Sequence, residues 1–216
     1  MARFKLAIII PAFNEEKTIE SIVNQVMKYG LPIVINDGSS DDTAYIAQKA
    51  GAVVVNHNKN KGYDSALNTG FKKAHELDSE VMLTFDADGQ HPASLIEDFI
   101  YQIRQGADLV VGIRNRRARF TEAFFSWISS RLWGISDPQC GMKAYRKEVY
   151  EALGYFDSYN SIGTELSIFA VKNGFHLKEV SFLVNERQDK PRFGNLISSN
   201  LKIFRAIFLG ILKWLR

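Results

Sequence analysis

An α/β fold built on a mostly parallel central sheet is predicted by three features of this 216-residue sequence. Short apolar, β-rich runs alternate with helical periodicity from residue 5 to about residue 112, the pattern of β-α-β units. The residues just after each early run are polar or acidic, as at the carboxyl ends of parallel strands where ligands bind. A composition of 46% hydrophobic and 24% charged residues supplies one sizeable core, and no internal repeat or low-complexity linker marks a second independent domain.

The first strand is read at Lys5–Ile10 from its continuous apolarity. Asn14 is the expected cap of a helix with Glu15 and Glu16 in its first turn and Ile19, Ile22, Val23, Val26 and Met27 on its apolar face, ending at Gly30. Pro32–Ile35 is the second strand, followed by a helix from Ser39 or Ser40 through Ala50. Ala52–Val55 is the third strand, leading through a loop into a helix over Asp64–Leu77. Val81–Phe85 is the fourth, followed by Pro92 and a helix near Leu95–Arg104, and Ala107–Gly112 is the fifth. Beyond residue 112 the pattern changes to long aromatic helical stretches, one strand candidate at Lys178–Val184, and a terminal helix.

The net charge of +3 is too mild for a nucleic-acid binder, but it is unevenly spread. Residues 187–216 carry seven Lys and Arg against one acid, and residues 111–150 carry eight against three, which leaves the rest of the chain at −8. The single cysteine, Cys140, forms no internal disulfide and fits a reducing, cytoplasmic compartment. The four histidines lack the spacing of a helical zinc pair. Leu6–Ile10 is too short for a signal-peptide core, and no apolar run reaches the roughly 20 residues of a spanning helix. Secretion and a transmembrane anchor are therefore not expected.

Four strand ends carry the candidate chemistry: Pro11-Ala-Phe-Asn-Glu15, Asn36-Asp-Gly-Ser-Ser-Asp41, Asn56-His-Asn-Lys-Asn-Lys-Gly62 and Asp86-Ala-Asp-Gly-Gln90. Any one of them is an ordinary turn; four on one sheet edge make a cleft. No Gly-x-Gly-x-x-Gly or Gly-x-x-x-x-Gly-Lys-Ser/Thr cradle is present. Asp86 and Asp88 instead pair two carboxylates at a strand end, where Mg²⁺ or Mn²⁺ would relieve their repulsion and bridge to diphosphate oxygens.

These segments, with Asn60-Lys-Gly-Tyr63 before Ala66-Leu67 and above all Asp86-Ala-Asp-Gly-Gln-His-Pro92, resemble the family 2 glycosyltransferases. Gln90-His-Pro92 and Asp137-Pro-Gln-Cys-Gly-Met-Lys-Ala-Tyr145 point within that family to the polyprenyl-phosphate (dolichyl-phosphate) mannosyl- and glucosyltransferases. The resemblance implies a GT-A, Rossmann-like domain, placed at residues 1–194, and the amphipathic pattern of residues 195–216 is read as a membrane-interface helix. It implies that Pro11, Phe13 and Glu15 line the nucleoside, that Asp37 contacts base or ribose, and that Lys61 reaches phosphate. Asp86 would sit at the ribose or diphosphate, with Asp86, Asp88 and Gln90 as the metal set. Asn36, where the family often has Asp, and Asp64, where a small residue is usual, depart from its pattern.

The acceptor side falls on the basic segments. By the same resemblance, Arg114, Arg131 and Arg187 contact lipid phosphate or donor, and Arg187-Gln-Asp-Lys-Pro-Arg-Phe-Gly194 adds Arg192. A phosphate monoester, with a second pKa of about 6, is already a nucleophile near neutral pH and needs positioning more than a base. Glu165 matches the carboxylate that serves as general base when the acceptor is a sugar hydroxyl. Residues 120–135 place Phe120, Phe124, Phe125, Trp127, Ile128, Leu132 and Trp133 at helical spacing beside arginines, which suits a helix at a membrane interface more than a core stripe. Residues 195–216, with Ser198, Lys202, Arg205, Lys213 and Arg216 on one face, suit a helix lying on anionic lipid better than a solvated core helix, with docking on the domain or on a partner subunit as the alternatives.

The expectation is an inverting, Mg²⁺- or Mn²⁺-dependent transfer of a sugar from GDP-mannose or a UDP-hexose to a polyprenyl phosphate. It would take place on the cytoplasmic face of a membrane, without nucleic acid, in a protein that allows a homo-oligomer. Transfer to a hydroxyl of a cell-surface or lipid-linked glycan is the first alternative. A non-catalytic, membrane-associated nucleotide-sugar-binding protein is the second.

Overall fold

A computed structural model describes residues 5–89, 91–115, 120–184, 204–206 and 208–213. Its centre is a seven-stranded sheet made of β1 (Leu6–Ala12), β2 (Leu31–Asn36), β3 (Val53–Asn56), β4 (Val81–Thr84), β5 (Leu109–Arg114), β6 (Lys143–Arg146) and β7 (Leu177–Phe182), in the order β3-β2-β1-β4-β6-β5-β7. The first four strands are mutually parallel, β5 pairs in parallel with β7, and β6 runs antiparallel to both β4 and β5. Helices α1 (Ile19–Val26), α2 (Thr43–Lys49), α3 (Tyr63–Glu76), α4 (Leu95–Arg104), α5 (Phe120–Trp133), α6 (Lys147–Leu153) and α7 (Glu165–Lys172) connect and cover them.

Alternation along the pleat gives the sheet two dry faces. Ile8, Ile10, Val34 and Leu83 enter one core with Ile19, Ile22 and Val23 of α1 and Ile96, Phe99 and Ile103 of α4. Ala7, Ile9, Ile33 and Ile35 enter the other with Leu67 and Phe71 of α3, Tyr145, Phe156, Leu166 and Ile168. Gly70 lets α3 lie close on the sheet, because a Cβ there would run into the Ile9 side chain. The connections leave β1 first towards β2 and β3, then cross back to β4 on its other side. The crevice between the carboxyl ends of β1 and β4 is therefore the topological switch point, where open α/β sheets bind ligands.

Two sequence expectations fail for one reason. Asn14 does not cap α1: it is left-handed at φ 55°, its N–H donates to Ser39 Oγ (2.9 Å), and its Oδ1 accepts from the Ser40 N–H (2.9 Å). The first turn of α1 begins later, after Thr18, and α2 starts at Thr43 rather than at Ser39 or Ser40. Cap-type side chains here bond across two strand ends instead of into their own helices. The mostly parallel sheet matches the expectation, with β6 as its antiparallel strand; β6 and α6 were not legible in the sequence as separate elements. Described C-terminal residues pack on the main domain, with Ala206 fully buried and the Gly210 backbone beside Trp133, Ile168 and the Tyr159 hydroxyl. No helix among the described residues is long and apolar enough to cross a membrane.

Candidate active site

Asp86 follows β4 at the switch point, and three groups hold its carboxylate. His91 Nε2 lies 3.2 Å from Oδ2, the Tyr63 hydroxyl donates to Oδ1 at 3.4 Å, and the backbone of Gly141 presses so close that a Cβ would overlap the carboxylate. Burial opposes its ionisation, but the hydrogen bond and charge of His91, the Tyr63 hydroxyl and the Arg114 charge together keep it below the usual carboxylate range. His91 is itself buried edge-on against Phe85 and Phe182, and its Nδ1 has no hydrogen-bond partner among the described residues. Asp88 is half-buried in the turn that ends at left-handed Gly89. Gln90 lies outside the described residues.

The segment 137–146 wraps this carboxylate. Thr84 Oγ1 donates to the Gly141 carbonyl (2.7 Å) and accepts from the Lys143 N–H (3.1 Å), which seats β6 against β4. Arg114, at the end of β5, grips Asp137 in a fork with Nε at 2.8 Å and Nη2 at 2.9 Å, while Glu122 lies 3.5 Å away. Burial disfavours its charge, yet the Asp137 hydrogen bond and charge prevail and raise its pKa. Arg114, expected to contact lipid phosphate or donor, is thus a paired side chain whose field reaches Asp86. Arg131 is exposed, with its guanidinium 5.6 Å from the Trp127 ring. Arg187 and Arg192 lie outside the described residues.

On the other side of the crevice, Pro11 pairs in register with Ile35, Phe13 stands 37% exposed, and Glu15 is buried. Glu15 donates its N–H to Thr43 Oγ1 (2.8 Å), and its carboxylate accepts from the Thr18 hydroxyl (3.0 Å). Asp37, expected to contact base or ribose, lies just after β2. Its buried carboxylate accepts N–H bonds from Lys61 (2.9 Å) and Gly62 (2.8 Å) and lies 2.6 Å from His57 Nδ1, so it shapes the loop before α3. The Lys61 side chain is exposed at that loop.

Glu165 is fully buried at the start of α7. It accepts from the Ser158 N–H (2.6 Å), the Ser158 hydroxyl (3.0 Å), the Tyr155 hydroxyl (3.3 Å) and Lys213 Nζ (2.5 Å). Both of its carboxylate oxygens are thus engaged by donors within the chain. Sequence reasoning missed Tyr63, His91 and Lys143 as site-builders; Asp64 was visible only as a departure from a family pattern.

Two hard oxygen donors in one strand-end turn suit Mg²⁺ or Mn²⁺, which commonly take one or two carboxylates and complete their shell with water and substrate phosphate. Among the described residues there is no cluster of three or more His, Cys, Asp or Glu that would form an all-protein cage. Asp86 and Asp88 are the described residues that would hold such a metal.

Fold and site together define an α/β domain of the GT-A type, with a strand-end carboxylate pair at the switch point of its sheet. The chain belongs to glycosyl transferase family 2, whose profile matches residues 7–154, and it is a glycosyltransferase. It is 32% identical to an uncharacterised protein of Methanocaldococcus jannaschii over 96% of this chain and 93% of that one. It is 28% identical to the UDP-N-acetylglucosamine–dolichyl-phosphate N-acetylglucosaminyltransferase of Methanococcus voltae over 97% of each. A dolichol-phosphate mannosyltransferase of Pyrococcus furiosus is also 28% identical, over 97% of this chain and 64% of that one. The fold matches glucosyl-3-phosphoglycerate synthase of Mycobacterium tuberculosis, crystallised with Mg²⁺ and UDP, at a TM-score of 0.77 and 20% identity, over 98% of this chain and 79% of that one. The reading as a non-catalytic binding protein falls with that membership.

Proposed function

We propose that this glycosyltransferase moves a hexose from GDP-mannose or a UDP-hexose to a polyprenyl phosphate in one inverting displacement. The observation that carries the choice of acceptor is the enclosure of Glu165 by Ser158, Tyr155 and Lys213. A sugar hydroxyl needs a base to take its proton, whereas a phosphate monoester near neutral pH already carries the attacking charge. Relatives that act on dolichyl phosphate, matched along nearly the whole chain, support the same acceptor class.

In this mechanism a phosphate oxygen of the acceptor forms a bond to the anomeric carbon on the face opposite the nucleotide, and the bond from that carbon to the diphosphate oxygen breaks with its electron pair leaving on the nucleoside diphosphate. Asp86, Asp88 and Gln90 would hold Mg²⁺ or Mn²⁺, which supplies charge neutralisation for the leaving diphosphate. Tyr63 and His91 keep Asp86 ionised and oriented. Pro11, Phe13 and Glu15 receive the nucleoside, Asp37 acts through the loop it pins, and Lys61 of that loop meets donor phosphate. Arg131, Arg187 and Arg192 position the acceptor phosphate, and Arg114 holds Asp137 and Glu122 beside it.

The acceptor is a lipid, and the surface beyond α5 is suited to one. Phe124, Trp127 and Leu132 of α5 and Phe204, Phe208 and Leu212 of the C-terminal segment are all at least 39% exposed, and Phe124 meets Phe204 ring to ring at 6.5 Å. This aromatic plane, with Arg131 at its edge, rests on the cytoplasmic face of the membrane. The test is transfer from labelled GDP-mannose and UDP-hexoses to a polyprenyl phosphate with Mg²⁺ or Mn²⁺. Asp88→Ala should remove transfer while the fold is retained, and an active variant would refute the metal role. Transfer to glycan hydroxyls but not to the lipid phosphate would overturn the acceptor.

A further inference from the structure

The loop before α7 contains two consecutive left-handed residues, Ile162 (φ 59°) and Gly163 (φ 69°), preceded by left-handed Asn160 (φ 55°). For glycine or asparagine this is routine; for a β-branched isoleucine it is strained, and such a conformation persists only where its surroundings impose it. Two buried side chains do so here. Asp64, at the start of α3, accepts the Gly163 N–H at 2.7 Å and a further backbone bond from Ile162. Lys143, on β6, donates its Nζ to the Gly163 carbonyl (2.5 Å) and to the Pro138 carbonyl (2.7 Å). One peptide segment is thus clamped from both sides by opposite charges carried on different elements.

The clamp touches the site. The Cβ position of Gly163 lies 3.6 Å from the Tyr63 ring, Tyr63 directly precedes Asp64, and the Tyr63 hydroxyl reaches Asp86. Lys143 also ties down Pro138, three residues before the Gly141 backbone that presses on the same carboxylate. We propose that Asp64 and Lys143 are positioning residues for the transfer reaction: by holding Ile162–Gly163 left-handed they fix the Tyr63 ring and the Gly141 turn on the two sides of Asp86. The role of Asp86 here rests on the reading given under Proposed function.

The test uses the full chain and three variants: Asp64→Asn, which keeps the shape and removes the charge, Lys143→Met, and Tyr63→Phe. Hydrogen exchange of the peptide covering residues 158–166 should quicken about ten-fold or more in Asp64→Asn and Lys143→Met, with peptides of β1 and β4 unchanged. In ¹³C-tyrosine-labelled protein, the Tyr63 ring signal, identified by its loss in Tyr63→Phe, should shift in Asp64→Asn. The kcat of transfer should fall about ten-fold in Asp64→Asn, which corresponds to one hydrogen bond to a charged group. Tyr63→Phe should reproduce that fall without quickening exchange. Unchanged exchange or an unmoved Tyr63 signal in Asp64→Asn overturns the proposal, as does quickened exchange with wild-type kcat. If wild type transfers to no acceptor, the functional reading fails, and exchange and the ring signal still decide the clamp. If Lys143→Met does not fold, Asp64→Asn decides alone.

Discussion

Asp64 illustrates how much a single buried carboxylate alters the chain's response to pH. Burial, and then the nearby charge of Asp157, raise its pKa from 3.8 to about 6, against the backbone bonds from Gly163 and Ile162 and the charge of Lys143. The folded state therefore binds this proton more tightly than the unfolded one, so the stability it contributes is full below about pH 3.8 and is lost as pH rises through about 6. A shift of that size corresponds to roughly 3 kcal/mol, and at 8% exposure solvent does little to screen it. Asp64→Asn lacks this dependence. Urea denaturation at pH 4 and pH 7 should show the Asn variant gaining on the order of 2–3 kcal/mol relative to wild type between the two, and parallel curves would exclude it. Glu165 offers the complementary measurement. If it is a structural acceptor for Lys213 and Ser158, Glu165→Gln lowers transfer mildly; a loss of several orders of magnitude would restore it as a base and with it a hydroxyl acceptor.

At the scale of elements, α5 explains why one segment supported two readings. Phe125, Ser126, Ser129 and Trp133 are buried, whereas Phe124, Trp127 and Leu132 are exposed, so aromatic residues occupy both faces. One face is core, and the other is the exposed face on which the proposed membrane contact rests. Phe125→Ala should cost about 3–5 kcal/mol by emptying a packed position, and Trp127→Ala should stay within about 0.5 kcal/mol while weakening binding to lipid vesicles. Equal destabilisation by the two, measured by thermal or urea unfolding, would contradict this division. The same contrast shows what was legible. Helix α4 matches its expected span because its apolar period, the first-turn acids Glu97 and Asp98 and the last-turn Arg104 all agree. Strand β6 was hidden because its four residues begin with Lys143 and end with Arg146, and only tertiary carbonyls make a buried lysine tolerable there. The strand-end carboxylates were found because their position depends on local order. The partners of Asp37 and Glu165 were not, since those bonds span 24 and 48 residues.

For the whole molecule, the sign and place of charge bear on the proposed contact with a lipid. The acidic body carries Asp86 and Asp88 at the switch point, and in sequence the exposed aromatic residues of α5 and of the C-terminal segment lie within the two basic segments. Each cation near an anionic surface contributes about 1 kcal/mol, and that contribution weakens as the screening length shrinks from about 8 Å at 0.15 M salt to about 3 Å at 1 M. Burial of exposed aromatics is not screened in this way. Wild-type protein should therefore float with anionic vesicles at 0.15 M salt and in part at 1 M. Trp127→Ala combined with Phe208→Ala should keep the salt-sensitive fraction and lose the salt-resistant one. Binding that vanishes at 1 M salt in wild type would reduce the contact to charge alone, and no binding at either salt would remove the membrane from the picture. Survival of the salt-resistant fraction in the double variant would move the lipid contact to another face of the domain.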